Sequence, residues 1–135
     1  MAYPKDIFLE SLNRCREAGD FTAAFYENLL NTDEEIRHRF RLTDMERQRE
    51  KLNKSLDLCA AATAGDPDGL AELRELGKLH SRLRLDIHPE WYPLWIEAIV
   101  ATASQFDPEW DEEVDASWRR VLGLVTERIA SFYDD

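Results

Sequence analysis

Along most of the chain, apolar residues recur at the three- and four-residue spacing that gathers side chains on one face of an α-helix. Phe8, Leu12 and Cys15 make such a stripe in a first segment, which Glu17-Ala18-Gly19-Asp20 brings to an end. Phe21, Phe25, Leu29 and Leu30 mark a second helix, and "TDEEIRHRF" (residues 32–40) a short third. Thr43, followed three positions later by Glu46, reads as a capping box opening a fourth helix. That helix runs through "RQREKLNKSLDLCAAATA" and stops near Gly65. "GDPDG" predicts a loop, with Asp66 as a cap and Pro67 suited to a first helical turn. "LAELRELGKLH" is a fifth helix, and "SRLRLDIH", alternating but short, an irregular link. Pro89 starts a long helix through about Phe106, and Asp107-Pro108-Glu109 repeats the cap-and-proline signal for a last helix ending near Tyr133.

The pattern predicts six or seven helices with short links, no internal repeat and no sustained heptads. A chain of 135 residues can bury one good core, so we expect a single all-α domain over residues 1–135. Five glycines and five prolines are too few for a sheet with many turns. No apolar run approaches the ~18–20 residues needed to span a bilayer. "MAYPKDIFLE" lacks the basic-then-apolar layout of a secretion signal, so the expected location is cytoplasmic. Cys15 and Cys59 fit no metal or redox spacing and read as buried thiols behaving like small apolar side chains. A formal charge of −11 repels phosphate backbones and anionic lipid, which argues against nucleic acid and membrane partners.

The chemistry worth weighing lies in "LGKLHSRLRLDIHPEWYPLW" (residues 76–95), which holds His80 and His88. On a helix, Leu73, Leu76, Gly77 and His80 share a face. A glycine inside a helix costs about 1 kcal/mol relative to alanine. At position 77 the missing side chain would let a large flat body approach the backbone between leucine walls. A neutral imidazole at the edge of such a pocket suits an axial bond to haem iron. The plain alternative is a histidine favoured at a helix C-terminus by the helix dipole. His88 precedes a helix start and is a less natural ligand, and His38 has the charged neighbours of a solvated residue. Three histidines with no HExxH or CxxC cannot easily build a zinc site from protein ligands alone. There is no GxSxG, no cysteine beside a histidine and no glycine-rich phosphate loop. Acidic runs such as "DPEWDEEVD" read as solvated helix starts.

The order of features along the chain resembles a family. "FTAAFYENLL", "EEIRHRF", "TDMERQREKLNKSL", "LGKLHSRLRLDIHPEWYPLW" and "EVDASWRRVL" follow one another as in bacterial single-domain globins, related to the haem domain of flavohaemoglobins. The resemblance covers nearly everything from Phe21 to Tyr133. It implies a globin fold of six to eight helices sandwiching haem b (iron protoporphyrin). It makes His80 the proximal iron ligand, Phe40 the ring packed flat on the porphyrin, Tyr26 the distal tyrosine and Gln48 the distal amide. Leu52 matches the apolar residue one turn after Gln48. Leu76 lines the proximal side, and Lys51 reaches a haem propionate or stays free in solvent, as do Arg82 and Arg84. A rim position for Tyr26, a core position for Phe40 and a solvated amide for Gln48 are the alternatives.

The sequence departs from the flavohaemoglobin pattern in three places. The link from His80 to Pro89 is about two residues longer, and Ile96 stands where glycine is usual, which would reshape the pocket floor. Tyr92 matches a tyrosine paired there with a glutamate on the last helix, but the aligned residue here is Tyr133. The relay associated with peroxidase-like electron push is therefore not expected.

The resemblance implies a monomeric or homodimeric protein that binds O2, NO or CO at five-coordinate iron. A phenol and an amide donor would hold oxygen tightly and suit conversion of nitric oxide to nitrate, with a separate reductase supplying electrons. The alternatives are a haem-based gas sensor acting on another protein, and a haem-free helical interaction module. Whether the chain is an enzyme stays open at this point.

Overall fold

The computed structural model describes residues 3–134, and among them it contains seven α-helices and one short 3₁₀ turn, with no strand. The helices are α1 (Pro4–Ala18), α2 (Phe21–Leu30), α3 (Glu34–Arg39), α4 (Met45–Thr63), α5 (Pro67–Leu79), α6 (Tyr92–Phe106) and α7 (Glu112–Ala130), with the 3₁₀ turn at Pro89–Trp91 before α6.

Five of the helices start in the same way. Asp20, Asp33, Asp44, Asp66 and Asp111 each occupy the N-cap and accept a hydrogen bond from the backbone N–H three residues on. Such a cap satisfies an otherwise orphaned donor, places negative charge at the positive end of the helix dipole and contributes about 1 kcal/mol. Part of the chain's acidity is therefore local architecture. Two expected starts are corrected. Helix α4 is capped by Asp44, one residue after Thr43, because its carboxylate reaches the Arg47 N–H. Helix α7 begins at Glu112 behind Asp111, not at Pro108, and it ends at Ala130, with residues 131–134 forming a turn.

Helix α7 is the hub, packed against α1, α4, α5 and α6, while α2 lies on α6 and α4 on α5. Trp118, Phe8, Phe21, Phe25, Leu12, Leu56, Ile99 and Leu122 are fully or almost fully enclosed. Each large apolar side chain buried this way stabilises by about 1.5–3 kcal/mol. Helices α4 and α5 meet at Gly69, where a Cβ would stand 2.9 Å from the Ala62 backbone nitrogen, so only glycine allows that approach. Cys15 and Cys59 are both buried free thiols, as expected.

Asp107 is not the solvated helix start its sequence context predicts. Its side chain is fully buried and holds the α6–α7 turn to α1. Arg14 donates from Nε at 2.6 Å and Nη2 at 3.0 Å, and Ser11 Oγ donates at 2.6 Å. The Trp118 indole donates to Ser11 Oγ in turn. Burial alone would raise the Asp107 carboxyl, but the Arg14, Ser11 and Glu109 N–H hydrogen bonds outweigh it and hold the group below the usual carboxylate range.

A carboxyl depressed in the fold contributes stability that is present above its unfolded pKa, about 3.9, and lost as pH falls through the lower folded value. Asp107→Ala, which leaves Arg14 only the exposed Glu109 carboxylate at 3.6 Å, should destabilise the protein by about 3 kcal/mol in urea unfolding at neutral pH. The deficit should shrink as the pH is lowered below about 4. A deficit unchanged down to acid pH would show that Asp107 is not held ionised.

Candidate functional site

Between α2–α4 on one side and α5–α7 on the other lies a cavity of about 300 Å³, open to solvent at one side. Its walls are mainly apolar, drawn from α2 (Tyr26, Leu29), α4 (Leu52, Leu56, Cys59), α5 (Leu76, Leu79), α6 (Tyr92, Trp95) and α7 (Val125, Ile129). Volume and lining are those of a small-molecule or cofactor site.

The structure brings His80, Phe40, Tyr26, Gln48, Leu52, Lys51, Leu76 and Tyr92 to this one cavity. They come from five segments of the chain, so their meeting is a product of the fold.

His80 is the C-cap of α5. Its Nδ1 lies 2.7 Å from the Leu76 carbonyl oxygen one turn back, a partner that can only accept, so Nδ1 carries the proton. That tautomer leaves the Nε2 lone pair free. Burial holds the imidazole below its ordinary pKa, with the Leu76 hydrogen bond acting the other way, so the ring is neutral near pH 7. A neutral imidazole with one nitrogen tied to a backbone carbonyl and the other free is a metal ligand with its orientation already set.

Tyr26 and Gln48 supply the polar atoms on the walls formed by α2 and α4. Tyr26 is buried, and Gln48 Nε2 donates to its hydroxyl at 3.2 Å. Burial raises the Tyr26 phenol above its usual value and the Gln48 contact opposes the shift, so the group remains a neutral O–H. Tyr26 and Phe25 are adjacent yet both enclosed, since the Phe25 ring turns into the core against Trp95 while Tyr26 faces Phe40 at 5.8 Å between centroids. Tyr92 also lines the cavity, and burial pushes its phenol up to about 12. Tyr133, aligned with the relay position, does not pair with Tyr92; its hydroxyl donates to Asp86.

Some expectations change. The flat body against Gly77 is the Phe132 ring, whose Cδ2 would lie 2.4 Å from a Cβ at that position, so the glycine admits the chain's own C-terminal turn. Ile96 is packed against the core and is not among the cavity residues, whereas its neighbour Trp95 is. His88 is also outside the cavity, stacked on Trp91 at 4.3 Å and facing Asp86 and Glu90. His38 is exposed. Among the described residues no cluster of three His, Cys, Asp or Glu could hold a metal ion.

Sequence reasoning missed Arg39, Trp91, Trp95 and the α7 residues Val125, Thr126 and Ile129. The four-residue step from Val121 through Val125 to Ile129 marks a buried face without saying what it borders. Arg39 carried no signal. It donates to the Leu85 carbonyl at 2.7 Å and lies over the Trp91 ring, tying the end of α3 to the link after α5.

The model of the globin family matches residues 23–129. The structure is similar to the crystal structure of protein PA3967 from Pseudomonas aeruginosa PAO1, described as structurally highly homologous to a human haemoglobin. That protein is 33% identical, with 98% of this chain and 100% of the other covered at a TM-score of 0.95. Among curated proteins, none matches the sequence significantly.

Replacing Gln48 by Ala removes the donor to Tyr26 and should lower stability by about 1 kcal/mol in chemical denaturation. If the cost of Gln48→Ala/Tyr26→Phe equals the sum of the costs of Gln48→Ala and Tyr26→Phe alone, the two side chains are not coupled.

Proposed function

We propose that this chain, which belongs to the globin family, holds haem b in the cavity, where His80 would bond its iron and Tyr26 and Gln48 would contact a bound diatomic gas. The observation that carries this reading is the His80 imidazole, neutral, fixed through Nδ1 to Leu76 O, and bordering an apolar cavity with Nε2 free. Haem held by these residues would supply an iron able to bind O2, NO or CO.

The remaining roles belong to the protein. Leu52, Leu56, Leu76 and the aromatic walls exclude water and match the apolar faces of a porphyrin. Phe40, partly buried beside Tyr26, gives a ring for the macrocycle to pack on. Arg39 and Lys51 border the cavity and can pair with its carboxylates. The Tyr26 hydroxyl accepts from Gln48 and so keeps its own proton free to donate to a ligand carrying partial negative charge. A tyrosine–glutamine pair of this kind suits slow oxygen release and turnover of nitric oxide to nitrate. Sustained turnover needs electrons, and a separate reductase is the partner this implies. No described helix is long and apolar enough to cross a membrane.

Added haemin should give a Soret band with the wild-type chain and with His88→Ala, and none that survives gel filtration with His80→Ala. The opposite assignment would make His88 the ligand, and no band in any variant would end the haem reading. In the ferrous protein, Tyr26→Phe should speed oxygen dissociation about tenfold, the loss of one charge-assisted hydrogen bond of roughly 1.5 kcal/mol. An unchanged rate removes Tyr26 from ligand contact.

A further inference from the structure

Among the described residues that line the cavity, only Leu85 and Ile87 stand on neither a helix nor a helix cap. They belong to the link of residues 81–88, which joins the end of α5 at His80 to the 3₁₀ turn before α6. Leu85 borders the cavity and is also 48% exposed, so the same side chain meets the cavity and the water outside. Residues 82–85 are all exposed, and hydrophobic packing does little to hold this part of the wall shut. A segment with few buried apolar contacts opens readily unless polar ties restrain it.

Those ties converge on Asp86. Its carboxylate accepts from the Tyr133 hydroxyl, on the last turn of the described chain. It also lies 3.6 Å from Arg39 Nη2, at the end of α3, and 3.5 Å from His88 Nε2. Arg39 donates in addition to the neighbouring Leu85 carbonyl, and the Arg82 N–H donates to the Tyr133 carbonyl. The Tyr133 hydrogen bond, with His88 and Arg39 assisting and desolvation opposing, holds the Asp86 carboxyl below its usual range. A second observation falls on the same residue. Asp86 has a φ of 51° and is the only described residue other than glycine with a positive φ. An L-residue keeps that conformation where its surroundings hold it there, and such residues gather at functional sites. Here the kink turns the chain back onto α5: the Leu85, Asp86 and Ile87 N–H groups donate to Leu79, Ser81 and His80 carbonyls.

We infer that Asp86 latches the link against Tyr133 and Arg39 and thereby sets how long the cofactor stays in the cavity. Asp86 is not among the lining residues; it is a positioning residue that acts through Leu85, Ile87 and Arg39, which are. Release of Tyr133 and Arg39 frees Leu85 and Ile87 to move off the cavity, while α5 and α6 keep their own packing. The latch stands on these contacts alone, and its role in retention rests on the haem reading.

Three variants of the full chain test it. Asp86→Gly removes the carboxylate at a φ that glycine adopts freely, and Asp86→Asn tolerates the same φ but gives up the charge. Tyr133→Phe removes one partner and leaves the link backbone untouched. In the haem-free chain, hydrogen exchange at the Leu85, Asp86 and Ile87 amides should quicken about tenfold in Asp86→Gly, the loss of a charge-assisted hydrogen bond. Asp86→Asn should give a smaller rise. Tyr133→Phe should also quicken exchange, yet add nothing in an Asp86→Gly background, because both changes break the same contact. In the ferric chain loaded with haemin, transfer to an excess of apomyoglobin should quicken in the same order. Asp115→Asn, near the other end of α7, should change neither rate. Link exchange unaltered by Asp86→Gly and Tyr133→Phe overturns the latch, and so does faster exchange spread evenly over all the helices. Faster link exchange with unaltered haemin transfer overturns the role in retention. A wild-type chain that takes up no haemin ends the haem reading and the retention role with it, while exchange in the link still decides the latch.

Discussion

One hydrogen bond, from the His80 Nδ1–H to the Leu76 carbonyl, decides what this cavity can do. It selects the tautomer, fixes the ring's orientation and leaves a single basic nitrogen in apolar surroundings. Around it the chain is held by several independent ties. The Phe132 ring sits where a side chain at Gly77 would be, the Ile87 N–H donates to His80 O, and the Leu85 N–H returns to Leu79 O. Asp86, at a φ of 51°, accepts from Tyr133 and approaches Arg39 and His88. A long link after the histidine would otherwise let the ring wander. Here the last turn of the chain and the end of α3 brace it from both sides.

The second organising feature is where charge goes. Aspartates cap five helices and one aspartate is buried in a knot with Arg14, Ser11 and Trp118. Many of the remaining carboxylates lie in solvent, and the Lys and Arg side chains that border the cavity are Arg39 and Lys51. The net charge of −11 therefore does not describe the border of the cavity, where no carboxylate is among the lining residues. Electrostatic arguments from composition speak about solubility, and arguments about binding need the local field.

Much of this was legible beforehand. Helical periodicity located all seven helices, and the order of motifs picked out eight residues that the fold brings to one cavity. The errors share a cause. Thr43, Asp107 and Gly77 were each read from local neighbours, and each is overruled by a contact from afar or by a competing residue next door: Asp44 caps first, Arg14 captures Asp107, and Phe132 fills the space over Gly77. Ile96 and Trp95 differ by one position, which on a helix is a turn of about 100°, so the side that meets the cavity was decided by how α6 packs.

The sequence by itself determined the class of fold, the helix boundaries to within a few residues and the residue types able to do chemistry, because periodicity, capping and tautomer chemistry act over one or two helical turns. Only the tertiary structure decided that Tyr26 and Gln48 are partnered, that His80 borders the same cavity as they do, and that Arg39 joins α3 to the link. Those facts depend on side chains brought together from distant parts of the chain, and no local pattern encodes a distance between segments that meet only when the core has closed.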